Sequence, residues 1–245
     1  MRAKATRGAD KMEFLRPADC PLSQCRALAT GRIELERLKR AEAKFRRAGA
    51  SVRQGADWRS AVGFPVAEIA AEARSADLIV TSRRVRDETS NESVAAPGAL
   101  VLQAGRPVLF TPAETDKLQL QNIAVAWKDT RESRRAVADA LPLLKRATSV
   151  VLAEVCYHED AATVQIRLDN VVEYLLRHGV HASATVCVEE KDVHAADQFL
   201  AFADQHKADL IVAGAYGHSR FEERLFGGFT RALLAQTSRA VMLSH

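Results

Sequence analysis

Four glycines, a hydroxyl and a short run of charged side chains between Ala208 and Thr230 carry the densest potential chemistry in this chain. Gly214-x-x-Gly217 follows directly on the apolar run Ala208-Asp209-Leu210-Ile211-Val212-Ala213. The backbone leaving that run therefore has no Cβ in its way, and can take positive φ or approach a bound group closely. Nine residues further on come Gly227 and Gly228, then Phe229 and Thr230, with an apolar helical pattern (Phe229, Leu233, Leu234) beyond. A strand, a glycine-punctuated loop and a helix start together offer backbone N–H groups, a hydroxyl and the positive end of a helix dipole, which suits an anion such as a phosphate. Within the loop, His218, Ser219 and Arg220 lie where phosphate oxygens are expected. Arg220 is the strongest of these donors because its guanidinium forks. His218 reads equally as an exposed loop residue, and Tyr216 as packing against a sheet edge.

Other chemistries find little support. The remaining histidines, His158, His178, His181, His194, His206 and His245, show no His-Glu-x-x-His or other metal spacing. No nucleophile elbow or Ser-His-Asp order is present, and Glu222-Glu223 reads as a solvated helix face. No catalytic or metal-ligating residue is therefore assigned. Cys20 and Cys25 lack two further zinc ligands nearby, while Cys156 and Cys187 sit in apolar runs, as structural thiols do.

The elements that must position the loop alternate in a βα rhythm. Asn122–Trp127 reads as a first strand and Lys128-Asp129-Thr130 turns it into a helix over about 133–144. A strand over 148–155, a helix over 161–178 stopped by Gly179, a strand over 182–188 and a helix over 195–206 follow. With Ala208–Ala213 and the closing run Ser238–Leu243 this makes five strands and four helices, the pattern of a parallel sheet with right-handed crossovers. Ligands of such sheets sit at the carboxyl ends of the strands where the winding reverses. That places Ala126, Trp127, Lys128, Asp129 and Thr130 opposite the glycine loop. Lys128 reads either as a phosphate contact or as a solvated surface lysine.

The first half repeats the second in part. Ala76-Asp77-Leu78-Ile79-Val80 recurs letter for letter as Ala208–Val212, at an offset of 132 residues. Arg106–Phe110 matches the pattern of Arg239–Leu243 at an offset of 133, and Arg47-x-Gly49 echoes Arg177-x-Gly179 at 130. Between these marks the sequence predicts a helix over 33–47, a strand near Trp58–Val62, a helix over 66–74 after Pro65, a polar loop over 87–93 and a helix from Pro97 to about Ala104. The reading is a lead-in over 1–30, a degenerate unit over 31–112 and a complete unit over 119–245, joined near Thr111–Leu118. Where the second unit has Gly214-Ala215-Tyr216-Gly217, the first has Ser82-Arg83-Arg84-Val85, so only the second is expected to hold a ligand. The first is also short, and is expected to be incomplete, unusually packed or completed by a neighbouring chain. A mis-assigned start codon gives the same appearance.

The spacing Gly214-x-x-Gly217, nine residues, Gly227, together with the closing run Ser238–Leu243, resembles the universal stress protein (UspA) family. The likeness covers about residues 120–245 well and 31–112 more faintly. It implies an α/β fold with a flavodoxin-like open parallel sheet of order 3-2-1-4-5, here as two tandem units with the first incomplete. It also implies an ATP-binding loop around Gly214, Gly217, Gly227, Gly228, Phe229 and Thr230, and a regulatory stress-response role without strong catalysis. The chain departs from the family's ATP-binding pattern at two places: Lys128 stands where an Asp lies near the nucleoside, and Gly228 where a Ser or Thr follows the third glycine. Thr230 is the expected substitute for that hydroxyl. A dimerisation or interaction module of the same fold, without nucleotide, is the alternative. Pairing of the last strands, Val108–Phe110 and Val241–Leu243, is expected either within the chain as a pseudo-dimer or between two chains as a homodimer.

Composition narrows the class further. In 245 residues, 47% are hydrophobic, ample for packed cores. No apolar run approaches 18 residues, so no membrane span is expected, and the chain reads as cytoplasmic. The net charge of +4 hides an asymmetry: residues 1–115 hold 20 Lys+Arg against 14 Asp+Glu, residues 116–245 hold 15 against 17. Arg37, Lys39, Arg40, Lys44, Arg46 and Arg47 are interleaved with Glu34, Glu36 and Glu42 and lack aromatics that would stack bases, so a solvated helix is expected rather than a nucleic-acid surface.

Overall fold

The computed structural model describes residues 22–50, 56–61, 64–82, 96–112, 115, 117–217, 223–235 and 238–245. The lead-in before Leu22, the loop over 87–93 and His218–Arg220 lie outside them. The chain divides into two compact units, one holding the helices up to Ser75 and the helix over 97–103, the other holding every strand and all later helices.

The helical unit begins with α1 (Leu22–Gly49), longer at its start than the helix predicted over 33–47. In its last turns only Leu38, Glu42, Phe45 and Gly49 are partly buried, a narrow stripe at helical spacing, and Phe45 stacks on Trp58 at 5.5 Å. Lys39 pairs with Glu36 on the exposed side, and Arg46 reaches Glu42 at the edge of the stripe. Proline at the first position starts both α2 (Pro65–Glu72) and α3 (Pro97–Gln103), where its missing N–H has no helical partner to lose. The strand expected near Trp58–Val62 is absent among the described residues there: 56–61 is irregular, with Trp58 taken up by Phe45 instead of a ladder.

The second unit is built on a seven-stranded sheet. Its strands are β1 (Ile79–Ser82), β2 (Val108–Thr111), β3 (Asn122–Ala126), β4 (Ser149–Cys156), β5 (Ala182–Val188), β6 (Leu210–Gly214) and β7 (Ala240–Ser244), in the order β1-β2-β7-β6-β3-β4-β5. The last five, read from the far edge, run third, second, first, fourth, fifth, the order the family resemblance implies. All neighbours are parallel except β2 and β7. That pair is antiparallel, with Val108 opposite Leu243, Leu109 opposite Met242 and Phe110 opposite Val241. The repeat offset of 133 maps Leu109 onto Met242, so the two copies of the last strand meet about a local two-fold at that pair.

Between the strands run α4 (Arg131–Leu144), α5 (Ala161–Arg177), α6 (Ala195–Gln205) and α7 (Glu223–Ala235). The inner strands β3, β4, β6 and β7 alternate their side chains between two buried faces, whereas the edge strands β1 and β5 leave one face exposed. Ile123, Val125, Trp127, Val150, Leu152, Leu210 and Val212 form one core with Ala136, Val137, Ala140 and Leu144 of α4 and Val164, Leu168 and Leu175 of α5. Ala124, Ala126, Ala153, Ile211 and Ala213 are buried on the other face, where α6 packs on β4 and Phe199 of α6 meets Phe229 of α7 at 5.8 Å. The C-terminus of α5 is closed by Gly179 at φ 78°, with Val180 N–H donating to Leu175 and Gly179 N–H to Leu176, so the last carbonyls are satisfied as the sequence predicts.

Candidate functional site

The winding of the sheet reverses between β3 and β6, and the carboxyl ends of these strands open into a cavity of about 630 Å³. Its floor is Ala126, Ala153 and Ala213, small side chains that leave room beneath α6 and α7. Its walls include Phe199 of α6 and Gly228, Phe229 and Thr230 of α7. Polar residues also line it: Lys128, Thr130 and Glu132 after β3, Glu154 and Tyr157 on or after β4, Arg167 of α5 and His194 before α6.

Of the residues expected at the site, Ala126, Trp127, Lys128, Thr130, Gly214, Gly217, Gly228, Phe229 and Thr230 line this one cavity. Asp129 does not: its carboxylate takes a hydrogen bond from Arg134 at 2.6 Å, back along the first turn of α4. His218 and Arg220 lie outside the described residues. Gly227 falls inside α7, which begins at Glu223, so the glycine pair sits within the helix and not in the loop before it.

The glycines of the loop have a different task from the one their spacing suggests. Neither Gly214 nor Gly217 takes positive φ; the left-handed residue between them is Tyr216, at φ 54°. A Cβ on Gly214 would lie 2.6 Å from the Ser133 nitrogen and 2.7 Å from the Glu132 carbonyl carbon. The bare backbone at Gly214 therefore admits the N-terminus of α4, and Gly217 stands against the same turn, its missing Cβ 3.2 Å from Glu132 Oε2. The loop is further held by Ala215 N–H on the Ser244 carbonyl and by His245 on the Ala215 carbonyl.

Thr130 caps α4. Its hydroxyl accepts from Ser133 N–H at 3.3 Å, while Lys128 N–H donates to Ser133 Oγ, so the chain leaving β3 is fixed at both sides of the turn. Glu132, one residue into the helix, is 2% exposed. Burial pushes its carboxyl up, but hydrogen bonds from Arg131, its own backbone and Thr130, with the Arg131 charge, outweigh this and hold it below the ordinary carboxylate value.

Glu154 is the residue that sequence reasoning passed over. It is 3% exposed, inside the otherwise apolar run Val150–Val155, and its Oε1 accepts from Arg167 at 3.1 Å. Burial raises its carboxyl above the ordinary value, with Arg167 and Lys128 opposing and Asp129 adding to the rise. A lone carboxylate in an apolar strand was the available signal, since such a group is seldom buried without a partner. Cys156 and Cys187 are free and partly buried, and burial raises both thiols, which makes them poor nucleophiles at neutral pH. Among the described residues no three His, Cys, Asp or Glu side chains are grouped to hold a metal ion, and no helix is long and apolar enough to cross a membrane.

An open α/β sheet whose winding reverses between β3 and β6 is of the doubly wound class. A model of the universal stress protein family matches residues 119–245, more than half of the chain, and the chain belongs to that family. No curated protein matches it. Among solved structures it is similar to a universal stress protein from Archaeoglobus fulgidus DSM 4304, at 14% identity and TM-score 0.62, covering 84% of this chain and 76% of that one. It is similar also to a putative universal stress protein from Pseudomonas aeruginosa UCBPP-PA14, at 16% identity and TM-score 0.57, covering 99% and 92%. At these identities the likeness is one of fold.

Proposed function

We propose that the C-terminal repeat binds one adenine nucleotide per chain, such as ATP, and that the protein acts by this binding as a regulatory stress-response protein and not as a strong catalyst. The observation that carries the reading is the cavity itself. Its volume of about 630 Å³ lies in the range of small-molecule sites, and β3's end, the loop after β6 and the middle of α7 line it together. The residues suit the ligand: an alanine floor admits a flat ring, and Lys128 and Thr130 supply a charge and a hydroxyl. The first repeat has Ser82 where the second has Gly214, which is the basis for one nucleotide per chain.

A second reading, a fold module without nucleotide, draws on Gly214. Its close approach to α4 accounts for that glycine with no ligand at all. Calorimetric titration with ATP separates the two, using wild type and Gly228→Leu. A Cβ at Gly228 meets nothing within 4 Å, so the variant is expected to fold and to place a bulky side chain at the cavity wall. Binding by wild type near one ATP per chain and its loss in Gly228→Leu support the nucleotide. Negligible heat from both leaves the module.

A further inference from the structure

The N-terminus of α4 is equipped for an anion, and it already holds one. Its first-turn amides carry the positive end of the helix dipole, and Gly214 lies against the amide of Ser133. The Glu132 carboxylate folds back over this turn. It takes hydrogen bonds from its own backbone, from Thr130 and from Arg131, and its Oε2 lies 3.2 Å from where a Cβ would stand on Gly217. Thr130, Glu132, Gly214 and Gly217 all line the cavity. The carboxylate therefore sits in the corner between the helix start and the glycine loop, where the loop's spacing predicts a phosphate. It is 2% exposed and its carboxyl is held below the ordinary value, so at neutral pH it is a charge withdrawn from water, and an approaching anion meets it with little screening.

The rest of the lining does not reverse the sign. Arg131 is committed to Glu132, and Arg167 to Glu154. Among the described residues, the other charged groups of the wall are Lys128 and the carboxylates of Asp160, Glu189 and Asp197. Lys128 can answer a single phosphate, whereas each further phosphate adds negative charge to a wall already rich in it. We propose, resting on the nucleotide reading above, that Glu132 is an internal anion standing in for a phosphate, and that it makes this cavity select a nucleoside monophosphate over the corresponding triphosphate. The shorter ligand leaves the carboxylate in place. The longer one either brings its outer phosphates against Glu132 or drives the carboxylate out of its hydrogen bonds, and both cost affinity.

The test titrates the full chain with adenosine 5′-mono-, di- and triphosphate by calorimetry. Divalent ions are removed by a chelator, since one bridging carboxylate and phosphate would mask the repulsion. In wild type, affinity is expected to fall along the series, with the monophosphate bound about tenfold tighter than the triphosphate. Glu132→Gln keeps the shape and removes the charge, so the triphosphate is expected to tighten by about tenfold while the monophosphate changes little. A merely structural role would weaken all three ligands alike. The wild-type series needs no mutation, and a melting curve checks that the variant is folded. A triphosphate bound by wild type as tightly as the monophosphate or more so, or a preference left unchanged by Glu132→Gln, overturns the proposal while leaving nucleotide binding in place. Binding of none of the three at millimolar concentration removes the nucleotide reading and this one together.

Discussion

The five letters Ala-Asp-Leu-Ile-Val occur twice, and the two copies behave differently because of what lies beside them. In β6 they stand between β7 and β3, and Leu210, Ile211 and Val212 are fully buried. In the first copy only Ile79 and Val80 enter a strand, β1, which is outermost in the sheet, and Val80 is 44% exposed. The local register is nonetheless conserved between copies: Ile79 pairs with Val108 as Ile211 pairs with Val241. A strand's sequence thus fixes its pairing with the next strand in the chain, while its burial is set by the strand on its other side.

The largest expected break in this comparison is Ile211→Ala against Ile79→Ala. Emptying the fully buried position is expected to cost about 3 kcal/mol, and the half-buried one about 1 kcal/mol, read by urea unfolding. Equal losses would show that β1 is as enclosed as β6. Next comes Gly214→Ala against its counterpart Ser82→Ala. The first drives a methyl into the Ser133 amide and is expected to destabilise by about 2 kcal/mol, the second to be near neutral. If thermal melts show Gly214→Ala unchanged, the glycine is not there to admit α4. Thr130→Ala removes a helix cap of the second copy and is expected to lower stability by about 1 kcal/mol, also by urea titration.

The smallest effect is a slope with pH. Glu132 is held low in the fold, so its contribution is in place above the ordinary value of 4.5 and is lost as pH falls through its depressed value. Glu154 is held high, so the folded protein keeps a proton that the unfolded chain has released, and stability declines as pH climbs from 4.5 through the raised value. Glu154→Gln removes only the second slope. The melting-temperature difference between variant and wild type is expected to move in the variant's favour from about pH 4 to about pH 7; a constant difference would contradict the raised carboxyl.

Most of the second unit was legible because its period is strong: every strand expected over 122–243 forms, and Gly179 ends α5 in the left-handed conformation its place demands. What was not legible depended on tertiary neighbours. The spacing of Gly214 and Gly217 shows that backbone must be bare there, yet it does not show what approaches, and the answer is α4. The start of α7 at Glu223 was hidden because Gly227 and Gly228 read as loop, although a helix tolerates glycine at a modest cost. Glu154 looked like one odd letter in an apolar strand, and its meaning required Arg167, thirteen residues on, to fold back over it. Asp129 stood at a plausible place, but Arg134 draws it away.

The ladder between Val108–Phe110 and Val241–Leu243 has its two rails on a single polypeptide. Had they belonged to separate molecules, dilution would part them. Tethered as they are, each rail meets the other at a local concentration set by the intervening chain, so the pairing at this seam does not depend on how dilute the protein is.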